Sequence, residues 1–154
     1  MLGEDNYLSW ILKKIIIMEK NKALYQELIS LIAPGIISEK FELSSILEKT
    51  ETITLFFEEK KELIPEELLG KEVVFDGFVN HVDLQSFPLK DKKVYLSIRR
   101  RRWKEKGTLV PSYSNQYELY NKGMKTTKEF GIFLKEELGL QPDEFNKLWE
   151  STSP

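Results

Sequence analysis

The chain has 154 residues and a mass of 18.1 kDa, enough for one domain with its own core. It has no cysteine, which removes disulfides, thiolate metal sites and cysteine nucleophiles, and its single histidine, His81, removes His-rich metal sites. The net charge of −2 hides an asymmetry: residues 1–89 sum to −7, residues 90–106 to +7 and residues 107–154 to −2.

Such a basic window inside an acidic chain is the footprint of a polyanion binder, or else of a strand end paired with the surplus acids of the first half. No stretch reaches the ~18 apolar residues of a membrane span. The opening Met1-Leu2-Gly3-Glu4-Asp5 lacks the basic start of a secretory signal. A cytoplasmic protein without a membrane partner is expected.

Residues 1–17 read as an N-terminal extension, because Met18-Glu19-Lys20 looks like a natural start, although Trp10, Ile11, Ile15 and Ile16 would suit a short helix. Leu24, Leu28, Leu31 and Ile32 recur at helical spacing and predict an amphipathic helix over Lys20–Ile32, stopped by Pro34-Gly35. The period then becomes two. Phe41, Leu43 and Ile46-Leu47, with a bulge at Ser44-Ser45, predict one strand, and Ile53, Leu55 and Phe57 a second, joined as a hairpin. Pro65 to Gly70 reads as one helical turn. Val73 to Val82, running on towards Gln85 with a bend at Gly77, reads as a third strand, and Lys93 to Trp103 as a fourth.

Residues 107–116 form a polar loop. Thr126 and Glu129 make a capping box for a helix to Leu138, with Phe130, Phe133, Leu134 and Leu138 on its apolar side and Gly139 at its end. Pro142 opens a last helix whose Phe145, Leu148 and Trp149 face either the core or a partner. No long crossover helix joins the strands. The expected fold is α+β: a four-stranded antiparallel meander of two hairpins with N- and C-terminal helices packed on one face. The expected organisation is an extension (1–17), a single domain (18–139) and a short terminal helix and tail (140–154).

The fourth strand carries the functional argument. Val94, Leu96 and Ile98, then Arg100 and Arg102, share one face; Lys93, Tyr95, Ser97, Arg99, Arg101 and Trp103 share the other. Arginine forks pair bidentately with phosphate, and aromatic rings stack on bases or guanidinium planes. Candidate nucleic-acid contacts are Lys92, Lys93, Arg99, Arg100, Arg101, Arg102, Trp103 and Lys104, with DNA and RNA not distinguished by residue type. Asp76, Asp83 and Asp91 could in principle gather around Mg²⁺, but acids at strand ends are ordinarily surface residues. His81 beside Asp83 is an ordinary strand neighbour. No phosphate-cradling glycine loop and no dinucleotide fingerprint occurs, so no cofactor, metal or catalytic residue is assigned.

Phe87-Pro88-Leu89, then Lys92-Lys93-Val94-Tyr95-Leu96-Ser97-Ile98-Arg99-Arg100-Arg101-Arg102-Trp103, Lys122-Gly123, Thr127-Lys128-Glu129-Phe130 and Phe133-Leu134-Lys135 resemble the N-terminal region of a group of bacterial insertion-sequence transposases. The resemblance covers roughly residues 20–137. Met124 stands where the group usually has threonine, and Asp91 where a glycine is expected before the basic strand. In that group a short first reading frame encodes the N-terminal region, and a second encodes the catalytic domain with an Asp-Asp-Glu metal site. The resemblance implies a non-enzymatic chain that binds the DNA of element ends. It leaves open a module that docks onto the separately encoded catalytic subunit.

Overall fold

A computed structural model describes residues 3–152; residues 1–2 of the expected extension and 153–154 of the expected tail lie outside them. The elements in chain order are helix α1 (Glu4–Ile32), α2 (Gly35–Lys40), strands β1 (Phe41–Glu48) and β2 (Thr52–Glu59), a 3-10 turn (Glu66–Leu68), β3 (Val73–Phe78), β4 (Val82–Leu89), β5 (Lys92–Arg99), β6 (Arg101–Glu105), α3 (Lys128–Ile132) and α4 (Pro142–Thr152).

The α+β class holds, and both expected hairpins form, but the strands are not a purely antiparallel meander. The main sheet has the order β1-β2-β5-β4, with β2 and β5 parallel, and a second two-stranded sheet pairs β3 with β6. The second sheet has one cause. Residues 73–105 make one long hairpin that bends across its middle: Val79 to His81 leave the ladder on one arm and Arg100 on the other. Gly77, at φ +82°, supplies a backbone conformation that L side chains rarely adopt, beside the register shift between Phe75 and Phe78. The near half (β4, β5) joins the main sheet. The far half (β3, β6) turns away as a ribbon.

β5 lies inside the main sheet, between β2 and β4. Ile53, Leu55 and Phe57 of β2 pair with Val94, Leu96 and Ile98 of β5, and all six are buried on one face. Ile29 and Ala33 from the end of α1, Ile37 of α2, Phe41, Leu84 and Leu119 complete this core. β4 is an edge strand, which is where Pro88 can sit without breaking a ladder, at the register shift between Ser86 and Leu89. The bulge at Ser44 in β1 is where the sequence places it.

Three helical expectations change. The stripe Leu24, Leu28 and Leu31 points to solvent, at 57%, 55% and 79% exposure, and Ile29 and Ala33 enter the core instead. α1 is one continuous helix from Glu4, with Trp10, Ile15 and Ile16 exposed. The helices do not share one face. By strand alternation Gln85 and Lys93 lie opposite the Leu84–Val94–Leu96 face, and α4 reaches them there through Asn146 and Glu150.

The third helix begins one residue later than its capping box suggests. Thr127, not Thr126, accepts the Phe130 backbone N–H, and Thr126 is buried. Phe130 and Leu134 are fully buried, Leu138 is exposed, and the helix widens to a π-helical turn over Phe133–Glu137 before Gly139 ends it at φ +64°. On α4 no residue is buried, but Phe145 packs edge-on against Phe130 at 5.3 Å.

Candidate nucleic-acid interface

The bend at Arg100 resets the alternation of the basic strand. β5 faces its core with Val94, Leu96 and Ile98, so an unbroken strand would send Arg100 inward. Arg100 instead occupies the break, its carbonyl accepting the Val79 N–H at 2.9 Å, and Arg101 becomes the inward residue, 8% exposed.

Arg101 is held on every side. Its Nε donates to the Glu59 carbonyl at 2.6 Å and its backbone N–H to Glu59 Oε1 at 3.0 Å. Its guanidinium lies 3.7 Å from Glu58 Oε2 and stacks on Phe75 and Phe78 at about 5 Å. Glu59, 1% exposed, also accepts from Tyr117 Oη and Asn115 Nδ2, so its charge is fully dressed. Burial, then the bond to Glu59, raises the Tyr117 phenol well above its ordinary value. Arg99 pairs with Glu58 Oε1 and covers the Phe78 ring at 3.8 Å.

Lys92 and Lys93 are also internally paired. Lys92 donates to Glu48 at 2.9 Å and to the Lys49 carbonyl at 2.7 Å; Lys93 donates to Glu150 at 2.8 Å. Those bonds, with Lys90 assisting at Glu48, hold the Glu48 and Glu150 carboxyls below the ordinary carboxylate range.

Arg100 and Arg102 are different: neutral oxygens orient them. Arg100 donates to the Asn115 carbonyl and Gln116 Oε1, both at 2.7 Å. Arg102, exposed, donates through Nε to the Asp76 carbonyl at 3.1 Å. Two residues on, Lys104 lies 3.8 Å from the Asp76 carboxylate, which also accepts from Ser112 Oγ. The Ser112 hydroxyl holds the Asp76 carboxyl below its ordinary range; burial opposes it, and the Lys104 and Arg102 charges add to the lowering. Trp103 alternates to the other face of the ribbon, edge-on to Phe75 at 5.8 Å, with its indole N–H buried and unbonded.

The eight nominated residues therefore divide. Lys92, Lys93, Arg99 and Arg101 are tied to carboxylates, Lys104 more loosely to Asp76 at 3.8 Å, Trp103 packs within the ribbon, and Arg100 and Arg102 present guanidinium groups held by neutral oxygens. The residues missed from sequence are the partners: Glu58, Glu59, Asn115 and Gln116. Glu59 left a signal, because the inward series Ile53, Leu55, Phe57 continues to position 59, and a carboxylate there needs a buried cation or donors. Asp76, Asp83 and Asp91 sit on β3, on β4 and in the β4–β5 turn, and among the described residues no group of three carboxylates or histidines could hold a metal ion. His81 Nε2 lies 3.9 Å from Asp83, both exposed. No helix among the described residues is long and apolar enough to cross a membrane.

Comparison with protein-family models, with characterised proteins and with solved structures returns no match for this chain.

Proposed function

We propose that the chain is a non-catalytic, DNA-binding N-terminal region of a bacterial transposase, acting in the cytoplasm and holding the ends of its element while a separately encoded domain supplies the catalytic carboxylates. The observation that carries this reading is the posing of Arg100 and Arg102 by neutral oxygens. A guanidinium fixed by a carbonyl is pre-oriented yet keeps its charge for a phosphate, whereas one closed on a carboxylate does not. The β3–β6 ribbon supports the reading by shape, since a two-stranded antiparallel ribbon fits the major groove. The resemblance of the basic string to transposase N-terminal regions favours DNA over RNA.

A fluorescence-anisotropy titration against a duplex carrying the element's end sequence tests it. Arg102→Ala with Lys104→Ala weakens binding at least tenfold at low salt, because each lost phosphate contact removes released counterions. Binding by this folded variant as tight as that of the parent overturns the reading.

A second reading, docking onto the catalytic subunit, draws on α4, where Leu148 is 54% exposed beside half-buried Phe145 and Trp149. Co-purification with the downstream product, lost in Leu148→Glu, would favour it.

A further inference from the structure

α1 carries an apolar stripe that its own domain does not use. The helix has 29 residues, and among the described residues it enters the core near its end, through Ile29, partly buried Ile32 and the capping Ala33. Positions 7, 10, 14, 17, 21, 24, 28 and 31 follow a strict three-four spacing and hold Tyr7, Trp10, Lys14, Ile17, Asn21, Leu24, Leu28 and Leu31. The six apolar members are between 53% and 79% exposed. Ile29 and Ala33 point elsewhere, since one residue turns a helix by about 100°. The stripe therefore runs the length of the helix and comes beside the domain only at its end, where Leu31 lines a cleft with Phe87 and Glu129.

We propose that this stripe is the seam of a parallel two-stranded coiled coil with a second copy of the chain. A repeat averaging 3.5 residues is what keeps one face on a partner helix over several turns. Read as a heptad, Trp10, Ile17, Leu24 and Leu31 occupy one core position, and Tyr7, Lys14, Asn21 and Leu28 the other. Asn21 near the middle decides the orientation. In a parallel pair it meets Asn21 of the second copy and the two amides satisfy each other; in an antiparallel pair it would face Ile17 and stay unpaired. Lys14 folds back over Trp10, 4.3 Å from the ring centroid, so its charge is held by the ring of a seam neighbour. The half-exposed seam side chains of two copies offer on the order of 1,500 Å², the size of a standard specific interface.

Light scattering behind size exclusion tests the proposal on the full chain. The expected mass at micromolar concentration is twice 18.1 kDa. Leu24→Glu halves it, and Ile16→Glu, off the stripe though Ile16 is 64% exposed, leaves it unchanged. All of these side chains stand clear of the core, so the variants keep their fold, which near-ultraviolet circular dichroism of the sheet domain checks. Because the chain has no cysteine, Leu24→Cys reports orientation: oxidation joins two chains only if the helices run parallel in register. A monomeric parent overturns the proposal, as does a dimer indifferent to Leu24→Glu, or one lost equally in Ile16→Glu. Failure of Leu24→Cys to cross-link within a dimer contradicts the parallel arrangement. A monomer that sediments with anionic phospholipid vesicles would reassign the helix to a membrane surface.

Discussion

Four consecutive arginines do three different jobs here, and the backbone decides which. Arg101 is structural: it closes the end of β2 by engaging Glu58 and both the carbonyl and, through its N–H, the carboxylate of Glu59. Arg99 covers Phe78, and Arg100 and Arg102 reach outward on neutral acceptors. Removing the Arg101 side chain leaves the buried Glu59 carbonyl without its donor and takes one of two arginine partners from Glu58, so Arg101→Ala costs about 3 kcal/mol. Thermal denaturation should show a fall of roughly 10 °C for a domain of this size. Arg102→Ala, at an exposed position, should stay within about 0.5 kcal/mol of the parent. The same cluster has an alkaline signature. The Tyr117 phenol is raised above its ordinary 10.0 by burial and by Glu59, so the folded chain holds that proton more tightly than the unfolded one. Its contribution is complete below pH 10 and declines as the pH rises past it. Denaturation midpoints between pH 9 and 11 should therefore fall more steeply for the parent than for Tyr117→Phe; equal slopes would contradict this linkage.

At the level of elements, the sequence showed what local alternation and turn chemistry determine and hid what partners determine. Both hairpins, the bulge at Ser44 and the bend at Gly77 were legible, because each has a local cause in period two or in a residue that tolerates positive φ. The parallel contact of β2 with β5 was not, since nothing local states which hairpin edge meets which. Nor was the inward turn of Arg101, because the phase shift at Arg100 depends on the bend in the opposite arm. The stripe Leu24, Leu28, Leu31 was read correctly as an apolar face and wrongly as one that its own domain covers. The turn between β4 and β5 adds a test. Lys90 and Asp91 both have positive φ, 53° and 58°, the conformation of a two-residue primed turn that favours glycine at its second position. Asp91→Gly should relieve that strain by about 1 kcal/mol and raise the melting temperature by about 2–4 °C. A decrease would mean that Asp91 contributes more than its backbone.

Across the whole molecule, acidic and basic segments fold against one another. The surplus carboxylates of the first half reach the basic strand at Glu48, Glu58, Glu59 and Asp76, and most of the +7 window is answered internally. The charge that stays outward lies on the ribbon, away from the core that α1 completes with its last turn. The two regions are separable. A chain beginning at Met18 loses four seam positions but no core residue, so the melting of its sheet domain, followed through half-buried Trp103, should stay within a few degrees of the parent, about 1 kcal/mol or less. A loss of ten degrees would place the early helix in the fold itself.

The outward cations of the β3–β6 ribbon are proposed to meet DNA phosphates. The most direct measurement is the salt dependence of duplex affinity for the parent and for Arg102→Ala with Lys104→Ala. For two phosphate contacts the logarithmic slope of affinity against salt should become shallower by about 2 in the variant, with the domain's melting temperature unchanged. Identical slopes, with binding retained, would show that the DNA is held elsewhere.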